Sequence, residues 1–173
     1  MKKLSFLFLF VFLITANQKL QSQNLENEFK LSSSEFQILS FDKNWNWIFE
    51  NGTPTSIDNN ELIKIENILN DIVKEHNKKE RLVLNEHNKK FPNNFKKQTG
   101  YEISLENKMR QYVPILNEKG EKEIWINFFC DKPRNDEWKT FPRQVKDGGN
   151  CYFSVKINLT QNTFKELIIN DYS

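Results

Sequence analysis

The sequence predicts an α+β fold, with one long helix packed on a four- to five-stranded antiparallel meander sheet. Three observations carry this expectation. One segment, from Asp58 onward, repeats apolar residues at helical spacing. Several later runs alternate apolar and polar residues with a period of two. A cysteine pair, Cys130 and Cys151, falls where it fixes the same register as that alternation. A small barrel, or a sandwich with one helix, is the alternative arrangement.

The chain starts with Met1-Lys2-Lys3 and then LSFLFLFVFLITA. A short basic head before an apolar run of this length is the pattern of a secretory signal peptide. The run is too short to span a bilayer comfortably. Cleavage is expected after Ala16 or Ser22, giving residues 1–22 as signal and 23–173 as one globular α+β domain. Residues 1–22 hold Lys2, Lys3 and Lys19 and no acid, so the formal charge of +2 becomes −1 on their removal. The basic balance then belongs to the discarded segment, and nucleic acid loses its place among expected partners. No stable membrane anchor is expected after signal cleavage. The protein is expected to be secreted or periplasmic, where two cysteines most often join in one disulfide.

In chain order, residues 35–42 (EFQILSFD) read as a strand or extended segment. Trp45, Trp47 and Phe49 stand at alternate positions. They predict a strand with one buried aromatic face, or a ladder that stacks on sugar rings. Asp58 suits a helix N-cap, with Glu61 three residues later completing a capping box and Ile57 and Leu62 set as a hydrophobic staple. Leu62, Ile65, Leu69, Ile72 and His76 follow at helical spacing, widened by Ile68 and Val73. That stripe predicts a helix across the Ile126/Phe153 sheet face, continuing to about Glu86, with Pro92 limiting it. Residues 77–98 form a basic insertion, either a solvated face or an anion-binding patch. Residues 101–105 (YEISL) predict a short strand.

Residues 110–159 are the core of the expectation. RQYVPILN, KEIWINFFC and CYFSVKINL read as three antiparallel strands, with NEKGE as the first turn. A type I turn closed by a left-handed Gly120 pairs Leu116 with Lys122, Pro114 with Ile124, and Tyr112 with Ile126. Setting Cys130 against Cys151 opposes Phe128 to Phe153, Ile126 to Val155, and Ile124 to Ile157. A slip of one residue would send the apolar set to the wrong face. Pro114 cannot donate to a ladder, so its nitrogen must face away from the partner or lie on an edge. The other face carries Val113, Ile115, Trp125 and Phe129, which predicts a cover from elsewhere in the domain or a partner surface. Residues 163–170 (TFKELIIN) read as a fourth strand beside the third.

One helix followed by a four-stranded antiparallel meander resembles the cystatin-like architecture. The resemblance is one of topology over residues 58–170. Gln144-Val145-Lys146-Asp147-Gly148-Gly149 only loosely echoes the Gln-x-Val-x-Gly pattern of that group, with Val one place early. It carries no inhibitor assignment, because one fold hosts many functions.

Catalytic patterns are sparse. His76 and His87 lie too far apart for a metal pair on one helix turn, so no metal and no cofactor are expected. No G-x-S-x-G elbow is present. Asp147-Gly148-Gly149-Asn150 reads as a tight turn that positions Cys151 rather than a calcium loop. Asn51 and Asn158 begin glycosylation sequons. Function is therefore read as a non-catalytic binding module for an extracellular protein or glycan. The candidate surface is Trp125 and Phe129 from the outer sheet face with Trp138 from the crossover loop, residues 131–150. The alternative is a small secreted hydrolase that uses Asp131, Asp136, Glu137 and Asp147 around that loop.

Overall fold

The computed structural model describes Ser32 and residues 35–172. The expected signal segment and both cleavage positions lie outside the described residues. The elements are β1 (Phe36–Ile38), β2 (Thr53–Pro54), α1 (Asn59–Lys90), β3 (Met109–Leu116), β4 (Lys122–Phe129), β5 (Phe153–Asn158) and β6 (Thr163–Ile169). One sheet holds all six strands in the order β1-β3-β4-β5-β6, with β2 also on β3.

The α+β class holds, but the sheet is mixed rather than purely antiparallel. β1 runs parallel to β3, pairing Phe36 with Arg110 and Ile38 with Tyr112. β2 pairs antiparallel to the far end of the same edge, Thr53 with Leu116. Between them, residues 39–52 cross the outer face, so both short strands share one edge of β3. This layout accommodates Pro114. Arg110 donates its backbone N–H to Glu35, and the Tyr112 carbonyl accepts from Leu39, at 2.9 and 2.8 Å. Alternate residues of β3 thus turn their backbone groups toward the β1 side. The missing N–H of Pro114 faces the gap between β1 and β2 and costs no ladder bond.

The central register is the one that the cysteines and the alternation predict. Tyr112 opposes Ile126 and Pro114 opposes Ile124, while Phe128 opposes Phe153 and Ile126 opposes Val155. Gly120 closes the hairpin at φ 74°. β6 returns antiparallel beside β5, with a bulge at Lys156/Ile157. Cys130 and Cys151 form a disulfide, although Cys151 sits in a 3-10 turn just before β5 rather than within the strand.

α1 begins as the sequence predicts. The Asp58 side chain accepts the Glu61 N–H at 2.8 Å, and the Glu61 carboxylate accepts the Asp58 N–H at 3.0 Å. Ile65, Leu69 and Ile72 then pack with Ile126, Phe128, Phe153 and Val155. Ile65 and Leu69 are fully buried, so truncating either to Ala costs about 2–5 kcal/mol. The helix runs four residues beyond the expected end, to Lys90. Pro92 stops it at Phe91, because a proline disfavours helix at the residue before it and not several residues earlier.

Beyond Val73 the helix projects past the buried stripe as an arm, and the chain returns along it in extended form. Residues 101–105 are not the expected strand. Their backbone is bonded by helix side chains instead: Asn77 Nδ2 donates to the Ile103 carbonyl, and Asn77 Oδ1 accepts the Ile103 N–H, at 2.8 and 2.9 Å. Asn88 clamps Lys96 in the same two-way fashion. An asparagine amide can complete both backbone groups of one extended residue, which replaces a ladder partner.

The outer face is covered by two segments. Leu39, Phe41, Trp45, Ile48 and Phe49 bury Val113, Ile115 and Trp125. Residues 43–52 are not the expected strand. Asp42 caps a 3-10 turn at Lys43–Trp45 by accepting the Asn44 N–H. The turn breaks the period of two, so Trp45 and Phe49 are buried while Trp47 remains 44% exposed. The second cover comes from the crossover loop, where Trp138 packs on Met109 and Phe129.

A charged cluster lies inside the inner core. Glu66 pairs with Arg110, and Tyr112 Oη donates to Glu66 at 2.7 Å. Arg110 also donates to the Leu105 carbonyl at 2.9 Å. Burial lowers the affinity of the Arg110 guanidinium for its proton, but Glu66 and Tyr112 together outweigh that and hold its pKa above the ordinary value.

Candidate functional site

The crossover loop between the cysteines forms a cavity of its own. It is a cleft of about 660 Å³ lined by Asp131, Arg134, Glu137, Trp138, Phe141 and Arg143, among others. Beside it, a recess of about 200 Å³ opens on the outer sheet face between Trp47, Trp125, Asn127 and Tyr152. Arg143 lines both.

Two polar side chains of the sheet shape the loop. Gln111 and Asn127 oppose each other on β3 and β4. Gln111 Nε2 donates to the carbonyls of Trp138 and Phe141 at 2.5 and 2.7 Å. Its Oε1 accepts the Arg143 N–H at 2.8 Å. Asn127 Nδ2 donates to the Arg143 carbonyl, also at 2.8 Å. The loop backbone therefore satisfies the amide side chains of Gln111 and Asn127, which a solvated strand would have left to water. Asn135 adds a local cap, accepting the Glu137 N–H at the start of the 3-10 turn Asp136–Lys139.

Arg143 joins the loop's two ends. Its Nη2 donates to Asp131 at 2.7 Å. Its guanidinium lies 5.0 Å from the Phe129 ring centre and 5.7 Å from that of Tyr152, within cation–π range. Tyr152 Oη donates to the other oxygen of Asp131 at 2.7 Å. Arg143 first, against the opposing effect of burial and with help from Tyr152, holds the Asp131 carboxyl below its ordinary pKa. The same bond to Asp131 pushes the Tyr152 phenol up.

The candidate residues differ from expectation in exposure. Trp125, Phe129 and Trp138 are only 5, 0 and 8% exposed. They do not form the open aromatic patch that the sequence suggests, because the 39–49 segment and the crossover loop lie over that face. They serve as walls instead: Trp138 lines the cleft, and Trp125 and Phe129 line the recess. The residues that the sequence reading missed are Phe141, with half its side chain exposed, and Arg134 at the cleft wall. The polar pair Gln111/Asn127, placed in register by the strands themselves, was the available signal.

The four carboxylates of the hydrolase alternative are spread over separate contacts. Asp131 holds Arg143, Asp136 pairs with Lys139 at 2.8 Å, and Glu137 accepts from Asn135 at 3.1 Å. A general acid needs a carboxyl whose pKa is raised, and Asp131 is shifted the opposite way. No group of three or more His, Cys, Asp or Glu that could hold a metal exists among the described residues. His76 meets the Tyr101 carbonyl, and His87 meets that of Asn94. Asp147 to Asn150 form a tight turn, with Gly148 at φ 88° and Gly149 at φ 57°. A Cβ on Gly149 would stand 2.0 Å from the Tyr172 ring. Of the two sequon asparagines, Asn158 is fully buried, and its amide bonds Glu121.

No family model, no curated protein and no solved structure matches this chain.

Proposed function

We propose that this chain is an exported, non-catalytic binding module whose ligand, an extracellular protein segment or glycan, enters the crossover-loop cleft. The observation that carries the reading is the cleft itself. It is built on a loop, yet both ends are joined by a disulfide and its middle is bonded to the sheet by Gln111 and Asn127. Loops held rigid in this way are where binding residues concentrate, and a preformed site avoids ordering costs on binding. The lining combines an aromatic ring, Phe141, with the exposed cation Arg134. Export is supported by the basic head and apolar run at the start of the chain, and by the disulfide. What supports a cystatin-like arrangement is the order of one helix followed by four antiparallel strands; β1 and β2 are additions to it.

The test is a screen of the protein against a glycan array and purified secreted proteins. Phe141→Ala and Arg134→Gln should each weaken a captured ligand by about tenfold, the effect of losing roughly 1.4 kcal/mol. Unchanged affinity in both variants removes the cleft from the function.

A further inference from the structure

We propose that the end of the helical arm docks reversibly on anionic phospholipid surfaces. The observation is the turn at residues 89–97, Lys-Lys-Phe-Pro-Asn-Asn-Phe-Lys-Lys, which places two aromatic rings between two lysine pairs. Phe91 is 46% and Phe95 69% exposed. Between Glu86 and Glu102, residues 87–101 contain no acid. Lys89, Lys90, Lys96 and Lys97 make no ion pair with any described carboxylate. Some surface lysines elsewhere, such as Lys122, Lys139 and Lys156, are paired.

The turn is held in shape without burying its rings. Phe91 donates its N–H to the His87 carbonyl, and Asn94 donates to that of Phe91, at 2.8 and 2.9 Å. His87 meets the Asn94 carbonyl at 3.1 Å, and its ring centre lies 5.1 Å from that of Phe91. The Asn88 clamp on Lys96 fixes the returning chain. Lys90 leans over Phe91, 5.3 Å from the ring centre. Four residues and eight residues before Phe91 on the same helix face stand His87 and Val83, and Val83 is also exposed at 54%.

A folded protein ordinarily hides two phenylalanines at a turn or uses them. The tip lines neither the cleft nor the recess, and its two rings stand out into solvent rather than around a hollow. Its charges are flexible ammonium groups rather than the planar forks that read fixed carboxylate geometry. Both features fit a fluid anionic surface, which demands no shape complementarity. Rings would settle at the headgroup level, while lysine stems lie along them with their charges in water. Each lysine near such a surface strengthens partition by roughly fivefold, an effect screened by salt.

The experiment is co-sedimentation of the full-length protein with vesicles of phosphatidylcholine and phosphatidylglycerol in equal parts, or of phosphatidylcholine alone. A polarity-sensitive dye on Asn93→Cys reports the tip separately from the apolar start of the chain. The anionic vesicles should bind more strongly, shift the dye to the blue and release the protein in high salt. Replacing Lys89, Lys90, Lys96 and Lys97 by Gln should lower anionic partition by at least about tenfold, and Phe91→Ser with Phe95→Ser should abolish the dye shift. All six side chains are exposed, so circular dichroism should show unchanged folding. Equal anionic partition of the lysine variant, or sedimentation without a dye shift, overturns the proposal. So does capture by polyglutamate with no vesicle binding, which would make an acidic polypeptide the occupant.

Discussion

Gln111 accepts the backbone N–H of Arg143 at 2.8 Å across 32 residues of chain, and through that bond the centre of the sheet sets the position of the cleft. The same amide donates to two further loop carbonyls, so one buried side chain completes three backbone groups. Gln111→Leu is isosteric enough to fill the space but leaves those groups without partners. Each unsatisfied buried group costs about 1–3 kcal/mol. Urea denaturation should show a loss of at least about 2 kcal/mol, accompanied by faster hydrogen exchange at Arg143. A loss no larger than that of an exposed control such as Gln98→Leu contradicts the tether.

The Glu66–Arg110 pair makes a second prediction. Removing one partner of a buried ion pair leaves the other charge uncompensated and costs about 3–5 kcal/mol, whereas replacing both by apolar residues is often neutral. Glu66→Leu and Arg110→Met should each be strongly destabilising. The double variant should recover most of the loss, giving a large coupling energy in a double-mutant cycle. Additive losses would show that the two charges act independently.

The sequence made the inner half of this fold legible and the outer half less so. The Asp58/Glu61 box, the Ile65–Leu69–Ile72 stripe and the cysteine-matched register all rest on local periodicity or on a covalent constraint. The parallel pairing of Phe36–Ile38 is different, since three residues carry no signal for direction and their partner lies over 70 residues away. Trp45, Trp47 and Phe49 alternate as a strand would, but the Asp42 cap competed locally and won. Glu66 sits one place after Ile65 within the apolar stripe, and Arg110 shares the parity of Tyr112, so both could have been placed inside. Their polarity argued for solvent, and only the pairing in space explains their burial. For the site, strand alternation placed Trp125 and Phe129 on the outer face, and Trp138 was read on the crossover loop. Their burial was not legible, because coverage of a face depends on the path of loops.

The disulfide should act mainly on the unfolded chain. Cys130 and Cys151 are 21 residues apart, a loop whose closure contributes about 3 kcal/mol in the chain-entropy model. Reduction should lower the melting temperature of the wild type and leave Cys151→Ala almost unaffected. Mass analysis without reductant should find no free thiol. Two alkylated thiols in that analysis would exclude the bond.

Asp131 gives the cleft a pH dependence of known sign. Its folded pKa lies below the ordinary 3.8, through Arg143 first and then Tyr152. A depressed carboxyl pKa contributes stability that is fully present above the unfolded value and is lost as pH falls through the folded one. The group is half exposed, so the effect is modest after solvent screening. Wild type should exceed Asp131→Asn in stability at neutral pH, and the gap should close as the pH drops from about 5 to below 3.8. A gap that stays constant across that range means that the carboxylate's charge is not what holds Arg143.

The claim that the disulfide-joined crossover loop is the binding surface is tested most directly by an NMR titration. The full-length, isotope-labelled protein would be titrated with a panel of oligosaccharide and peptide fragments, following backbone amides and the Trp138 indole N–H. The account predicts saturable shifts clustered at residues 131–144, including the Trp138 indole, with the Lys156 and Glu166 amides on β5 and β6 unmoved. Saturable shifts that cluster elsewhere and leave residues 131–144 unperturbed would contradict it.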